Sequence, residues 1–208
     1  MTGQVPRSRT PSADISDSLL QAALDLLEEV GTSGLTVRGV ALTARVAPMG
    51  VYSRFGSKDG LLEALFTAGF TGLNDEILRA TGPTAIYRLL DGCQRYREFA
   101  LAQPQLYRLM FEQMMALDLS DEALLVAKGS FDCLVTRVAD AVVAGELGPG
   151  EFAQGDFVEQ AQLIWSAMHG AVSLEIANVH FAQDRSASYG AMLVNLFVGM
   201  GASRDSLV

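Results

Sequence analysis

Cysteine, histidine and tryptophan are scarce in this 208-residue chain, which holds two, two and one of them respectively. Cys93 and Cys133 stand forty positions apart, with no CxxC or His-rich spacing around either. That pattern speaks against a disulfide scaffold and a structural zinc site, and a reducing cytosol is the expected compartment. No metal and no organic cofactor is expected. Long apolar runs are also missing. The longest nearly uncharged one, residues 187–202, contains Asn195 and falls short of the ~20 residues a membrane helix needs, so no membrane contact is expected. The opening MTGQVPRSRTPS has two arginines but no apolar stretch after them, unlike a secretory signal. A cytoplasmic protein is expected. GxSxG, HExxH, P-loop and paired-carboxylate signatures are lacking too, so catalysis is not expected.

Positive charge is short overall, 15 basic against 24 acidic side chains, but it is unevenly spread. Residues 1–62 hold six basic groups (Arg7, Arg9, Arg38, Arg45, Arg54, Lys58) and six acidic ones, giving zero. Residues 63–208 carry the whole net charge of −9. Between residues 32 and 62, four basic groups face one acid, Asp59, for a local +3. A small basic island ahead of an acidic body suits a protein whose first part alone meets a polyanion.

What is present is helical periodicity. Strand alternation, internal repeats and low-complexity tracts are absent, and half the residues are apolar, enough for a buried core. Ile15, Leu19, Ala22, Ala23, Leu26, Leu27 and Val30 follow one helical stripe, with Gly31 and Gly34 as stop signals. Thr36 stands as N-cap of a short helix carrying Val37, Val40, Ala41 and Ala44. Pro48 suits the first turn of another, and Ser57 caps a longer one holding Leu61, Leu62, Leu65, Phe66, Leu73 and Ile77. Beyond the break at 81–84, helices are predicted over 84–102, 104–117, 120–145, 156–181 and 185–201, with a loop over 145–156. The fold class is therefore all-α with about nine helices: a three-helix head, then a longer helical part. The expected division is a flexible tail at 1–13, a first unit at 14–62 and a second at 63–208.

Two short helices joined by a very short turn after a supporting helix form a helix-turn-helix, whose second helix fits the ~12 Å major groove. The stretch LTVRGVALTARVAPMGVYSRFGSKDGLL, residues 35–62, resembles the TetR family of bacterial transcriptional regulators. The hits are Leu35, Thr36, Val40, Ala41, Ala44, Val46, Gly50, Val51, Tyr52, Phe55, Ser57, Lys58 and Leu61. The resemblance implies that Thr36, Tyr52 and Lys58 clamp the DNA backbone. Arg38, Pro48, Met49, Gly50, Ser53 and Arg54 would then approach base edges, with Arg38 the best candidate for a guanine contact. Two positions depart from the pattern. Arg45 replaces a turn glycine that serves a positive φ, so strain is expected there, with a phosphate contact as possible compensation. Ala47 replaces a capping serine, a loss of roughly 0.5–2 kcal/mol.

The second half matches nothing as sharply. WSAMHG, residues 165–170, looks like the hallmark of one TetR carboxyl-terminal subclass named for its Trp, His and Gly. Trp165 and His169 are i, i+4 neighbours, at an effector pocket, at a subunit contact or simply in the core. Tyr96, Phe99, Tyr107, Met110, Phe111, Met114, Met115 and Phe131 gather as cavity lining or plain core. The candidate effector-binding residues are Tyr96, Phe99, Tyr107, Phe111, Phe131, Trp165 and His169. Arg95, Arg97 and Arg108 suit either an acidic ligand or surface ion pairs, and His180 reads as a cap or an exposed group. The last two helices are rich in small and apolar residues, implying a homodimer built through them, as in the resembling family.

The expected function is a ligand-responsive homodimeric repressor, released from a palindromic operator on double-stranded DNA by a small hydrophobic or aromatic effector. An enzyme using His169 with Glu175, and a ligand-binding module that has lost DNA recognition, are the alternatives.

Overall fold

The computed structural model describes residues 12–149 and 157–207, and in the first helix the side chains from Ser16 onward. Most of the expected tail at 1–13 and the second half of the loop at 145–156 lie outside the described residues. Among the described residues there are nine α-helices and no strand. Likewise, no helix is long and apolar enough to cross a membrane, and no group of acidic, His and Cys side chains could hold a metal.

The first helix, α1 (Ser12–Gly34), is broken at Gly31, whose φ of 66° ends the regular turn where the sequence predicts a stop. Its stripe of Leu19, Ala22, Ala23 and Leu27 is fully buried. In α2 (Val37–Thr43) the Thr36 hydroxyl oxygen accepts the Gly39 N–H at 3.0 Å. Pro48 opens α3 (Pro48–Phe55), and Ala47 before it caps nothing. Ser57 caps α4 (Lys58–Leu78) by accepting the Gly60 N–H at 3.0 Å. Val37, Val40, Ala41 and Val51 are buried, holding α2 against α1 and α3, and α3 rests on the first turns of α4.

The body continues with α5 (Ala85–Ala102), α6 (Pro104–Phe111), α7 (Asp121–Val143), α8 (Phe157–Ile176) and α9 (Arg185–Gly199). Thr84, Ser120 and Asp184 cap α5, α7 and α9, each through a side-chain oxygen. Helices α4, α5 and α7 pack mutually, α8 covers α5 and α7, and α9 lies on α8 and α5. Helix α6 is wedged between α1 and α4, and it crosses α4 so closely that a Cβ on Gly69 would stand 2.6 Å from Met110 Sδ. No side chain of its own caps α6; instead Glu28 of α1 accepts the N–H groups of Gln105 (3.1 Å) and Leu106 (2.8 Å). A carboxylate suits the positive end of a helix, and this one ties the head to the body.

Two predicted helices are shorter than the sequence suggests. The 104–117 prediction ends at Phe111, followed by a 3₁₀ turn at Met114–Ala116, and the 156–181 prediction ends at Ile176. In the second case Asn178 takes a left-handed φ of 56°, its N–H bonded to Glu175 O and the Val179 N–H to Leu174 O. That paired pattern is a Schellman ending. It recurs after α7 at Gly145 (φ 72°), after α9 at Gly201 (φ 92°), and after α2 at Arg45.

Candidate DNA-facing surface and interior cavity

The end of α2 sets the direction of α3. Arg45 N–H bonds to Leu42 O at 3.1 Å and Val46 N–H to Ala41 O at 2.9 Å, with Arg45 at φ 56°. The chain thus makes the turn a glycine would make, with the expected strain located on one arginine. Its side chain is exposed. Beyond the turn, α3 buries Val51 and turns Pro48, Met49, Tyr52, Ser53 and Arg54 to solvent, with Met49 73% and Tyr52 48% exposed. Gly50 is half-buried against Val46, and the Ser53 hydroxyl donates to Gly50 O at 2.9 Å. Thr36, Arg38 and Lys58 are exposed as well. The Lys58 ammonium lies 3.4 Å from Thr32 O, a long contact that leaves it in solvent. An exposed helix of eight residues, with four basic side chains on and around it, is thereby presented by a buried scaffold.

The body encloses a cavity of about 310 Å³, at the small end of the range for ligand sites. Phe70, Leu73 and Ile77 of α4 wall one side, and Leu89, Cys93 and Tyr96 of α5 another. Phe111 and Met114 close it below α6, while Phe131, Leu134 and Arg137 of α7 face Gln162, Trp165 and Met168 of α8. Of the expected lining residues, Tyr96, Phe111, Phe131 and Trp165 are therefore in the wall. The Trp165 ring lies 6.0 Å from that of Phe131 and 6.1 Å from that of Phe111.

Phe99, Tyr107 and His169 are not in the wall. Phe99 is buried facing Gly72 of α4. Tyr107 and His169 stand behind Tyr96: the two tyrosine hydroxyls are 2.7 Å apart, and Tyr107 Oη is 2.6 Å from His169 Nδ1. Each proton is used once if Tyr96 donates to Tyr107 and Tyr107 donates to Nδ1, leaving Nε2–H toward Ser173 Oγ at 3.5 Å. Burial pushes both tyrosines above their ordinary range and lowers His169, the charge of Glu112 only partly opposing it, so the imidazole is held neutral. Burial likewise pushes the Cys93 thiol up to about 12, which leaves it an unreactive part of the wall. Of the other gathered residues, Met110 is core and Met115 is solvent-exposed.

The arginines singled out by sequence are occupied. Arg95 pairs with Asp91 at 3.1 Å and Glu76 at 3.6 Å, and Arg97 holds Glu175 through two bonds of 2.9 and 2.8 Å. Arg108 donates to Ile176 O at 3.4 Å. Glu175 is thus committed to Arg97, and the group on His169 Nδ1 is a tyrosine. His180 accepts the Ala182 N–H, a local turn contact. On the outer side of α8, Leu163 (48%) and Leu174 (52%) are exposed beside Gly170, which has open space above it. Helix α9 buries Tyr189, Leu193 and Phe197 and leaves Met192, Val194, Leu196 and Val198 half-covered.

Residues 19–65 match the family described as bacterial regulatory proteins, tetR family, and residues 89–196 match the tetracyclin repressor-like C-terminal domain. No curated protein matches the chain. Among solved structures, a protein of unknown function from Rhodococcus sp. RHA1 is similar at a TM-score of 0.81 and 26% identity, covering 95% of this chain and 99% of that one. The transcriptional regulator FadR from Bacillus subtilis, in complex with stearoyl-CoA, is similar at 0.68 and 18% identity, covering 88% and 98%. A TetR from Acinetobacter baumannii AYE in complex with minocycline is similar at 0.62 and 19%, covering 93% and 97%.

Proposed function

The chain belongs to the TetR family of bacterial transcriptional regulators, and on that premise we propose that it is a homodimeric repressor released from a near-palindromic operator by a small, largely apolar effector. The observation that carries this reading is the double duty of α4. Its first turn bears Lys58 and abuts the exposed helix α3, while Phe70, Leu73 and Ile77 farther along it wall the cavity. At 21 residues α4 spans about 31 Å, so a small tilt forced at one end becomes a displacement of the head at the other. A coupling of about 1–3 kcal/mol between the two sites suffices for regulation.

In this reading α3 enters the major groove. Thr36, Tyr52, Lys58 and Arg45 hold phosphates, and Arg38, Pro48, Met49, Gly50, Ser53 and Arg54 approach base edges. Tyr96, Phe111, Phe131 and Trp165 contact the effector, with Tyr107 and His169 fixing the Tyr96 ring from behind. Phe99 supports the α4–α5 contact. One helix of this length reads few bases, so two copies are needed. A second copy laid on the uncovered apolar faces of α8 and α9 would form a two-fold dimer reading half-sites about 34–36 Å apart. The fold neighbours bound to stearoyl-CoA and minocycline are consistent with an effector of this class. Arg45 adopts the glycine geometry, which favours a working DNA head over a module that has lost it.

A gel-shift titration against the DNA upstream of the protein's own gene tests the proposal. The wild type should retard the fragment. Tyr52→Ala and Lys58→Ala should bind it at least about tenfold more weakly with an unchanged circular dichroism spectrum. Unchanged binding by both variants refutes the clamp assignment.

A further inference from the structure

The cavity wall contains one charged side chain, Arg137, among residues that are otherwise apolar or neutral. Arg137 is half-buried, and among the described residues no carboxylate lies within ion-pair distance of it. Its one hydrogen bond to backbone is a long one, 3.4 Å from Nη2 to Leu78 O. Arg137 also lies in hydrogen-bonding reach of the Cys133 sulfur one turn back, a weak acceptor, so of the five donors of a guanidinium several are left over. The contrast with Arg95 and Arg97 is plain, since Arg95 is paired with Asp91 of its own helix and Glu76 of α4, and Arg97 with Glu175 of α8. A half-buried cation without a counter-charge, at the edge of an apolar chamber, is a receptor for an anion that arrives with an apolar body.

We infer that the effector is an amphipathic monoanion, its carboxylate held by Arg137 and its apolar body lying between α4, α5, α7 and α8. This rests on the cavity being the effector site, as proposed above, and adds the chemistry of the head group. Ala127, Ser130, Phe131, Leu134 and Arg137 line the chamber in sequence along α7. The ten helical steps from the first to the last span about 15 Å, room for a medium-length acyl chain or an aryl carboxylate. Gln162 lies in the same wall, one of its two amide N–H groups donating to Ser166 at 3.1 Å, while Ser130 donates to Phe70 O and the Tyr96 hydroxyl is bonded to Tyr107. Arg137 is the one cation among them.

Trp165 is the only tryptophan and stands in the wall, so its fluorescence reports occupancy directly. The full-length protein is titrated at pH 7.4 with decanoate, with decanol and with decylammonium, as wild type and as Arg137→Gln. The expected result is that Arg137→Gln weakens decanoate roughly ten- to a hundredfold and changes decanol by less than about twofold. Decanoate should also outcompete decylammonium on the wild type, a comparison that needs no variant to fold. Equal losses for decanoate and decanol, or no loss for either, overturn the anionic head group and leave the cavity reading standing. Decylammonium binding as tightly as decanoate does the same. If none of the three compounds perturbs Trp165, the cavity reading falls and this inference with it.

Discussion

Replacing Arg45 by glycine should stabilise the protein and weaken its hold on DNA. Among the described residues four helix ends share one hydrogen-bond pattern, and glycine or asparagine fills the left-handed position in three of them. At Arg45 an L side chain with a full Cβ sits at φ 56°, a conformation that disfavours it by about 1–2 kcal/mol. Glycine removes that penalty but gives the unfolded chain more freedom, offsetting about 0.5–1 kcal/mol. The side chain is exposed and makes no hydrogen bond or ion pair with another described residue, so little packing is lost. The net gain is about 0.5–1 kcal/mol, or roughly 1–4 °C in Tm for a chain of this size. A thermal melt reads the first half of the prediction. For the second, the salt dependence of operator binding should lose about two units of slope, the signature of one missing phosphate contact in each of the two half-sites. A glycine variant that melts lower than wild type would refute the strain argument. A variant that is stabilised but binds with an unchanged salt slope would remove Arg45 from the DNA contacts.

Gly60→Ala should destabilise the head by about 1–3 kcal/mol in chemical denaturation, because the new Cβ would stand 2.0 Å from Phe55 O, an atom of the backbone that cannot rotate away. Lowering the pH should weaken the native state through His169. Its folded pKa is depressed by burial, so below the ordinary histidine value of about 6.5 the unfolded chain binds the extra proton more readily. Stability is thus complete above that value and declines as pH falls toward 5, and His169→Gln should flatten the decline. His169→Leu removes the acceptor of Tyr107 and should cost about 1–3 kcal/mol at pH 7.4, read by urea titration. Leu174→Glu places a charge on the uncovered face of α8 and should leave monomer stability within about 0.5 kcal/mol while sedimentation shows the dimer lost.

Capping chemistry made the head readable from sequence. Thr36, Ser57, Thr84 and Ser120 each act on an N–H three residues ahead, a local event that needs no knowledge of the fold. The turn at Arg45 is visible only through the family resemblance, as a position where the pattern has glycine. Helix ends decided by distant partners were not visible: the apolar spacing of 104–117 continues past Phe111, yet the chain tightens there into a 3₁₀ turn. Asn178 does end α8, but asparagine is a weak stop signal beside the apolar residues that flank it. In the body, spacing identified the inward face of each helix but not its depth. Tyr96 and Tyr107 look alike in the sequence, and only the packing of α6 behind α5 puts one in the wall and the other behind it. Arg137 escaped notice because a lone arginine on a long helix looks like surface until three other helices close around it. The sequence even points the other way, since Asp140 stands three residues on, at a spacing that pairs charges along a helix, yet the two do not pair in the structure.

Because a single rod both roofs the chamber and props up the reading head, the two jobs cannot be tuned independently from that rod. Anyone retargeting the protein toward a new inducer would do better to vary Leu89, Phe131, Leu134 and Met168, which line the chamber from helices that do not carry Lys58. Enlarging or shrinking Phe70, Leu73 or Ile77 would alter the resting posture of the head before any inducer arrived. A leaky or permanently silenced switch would be the result.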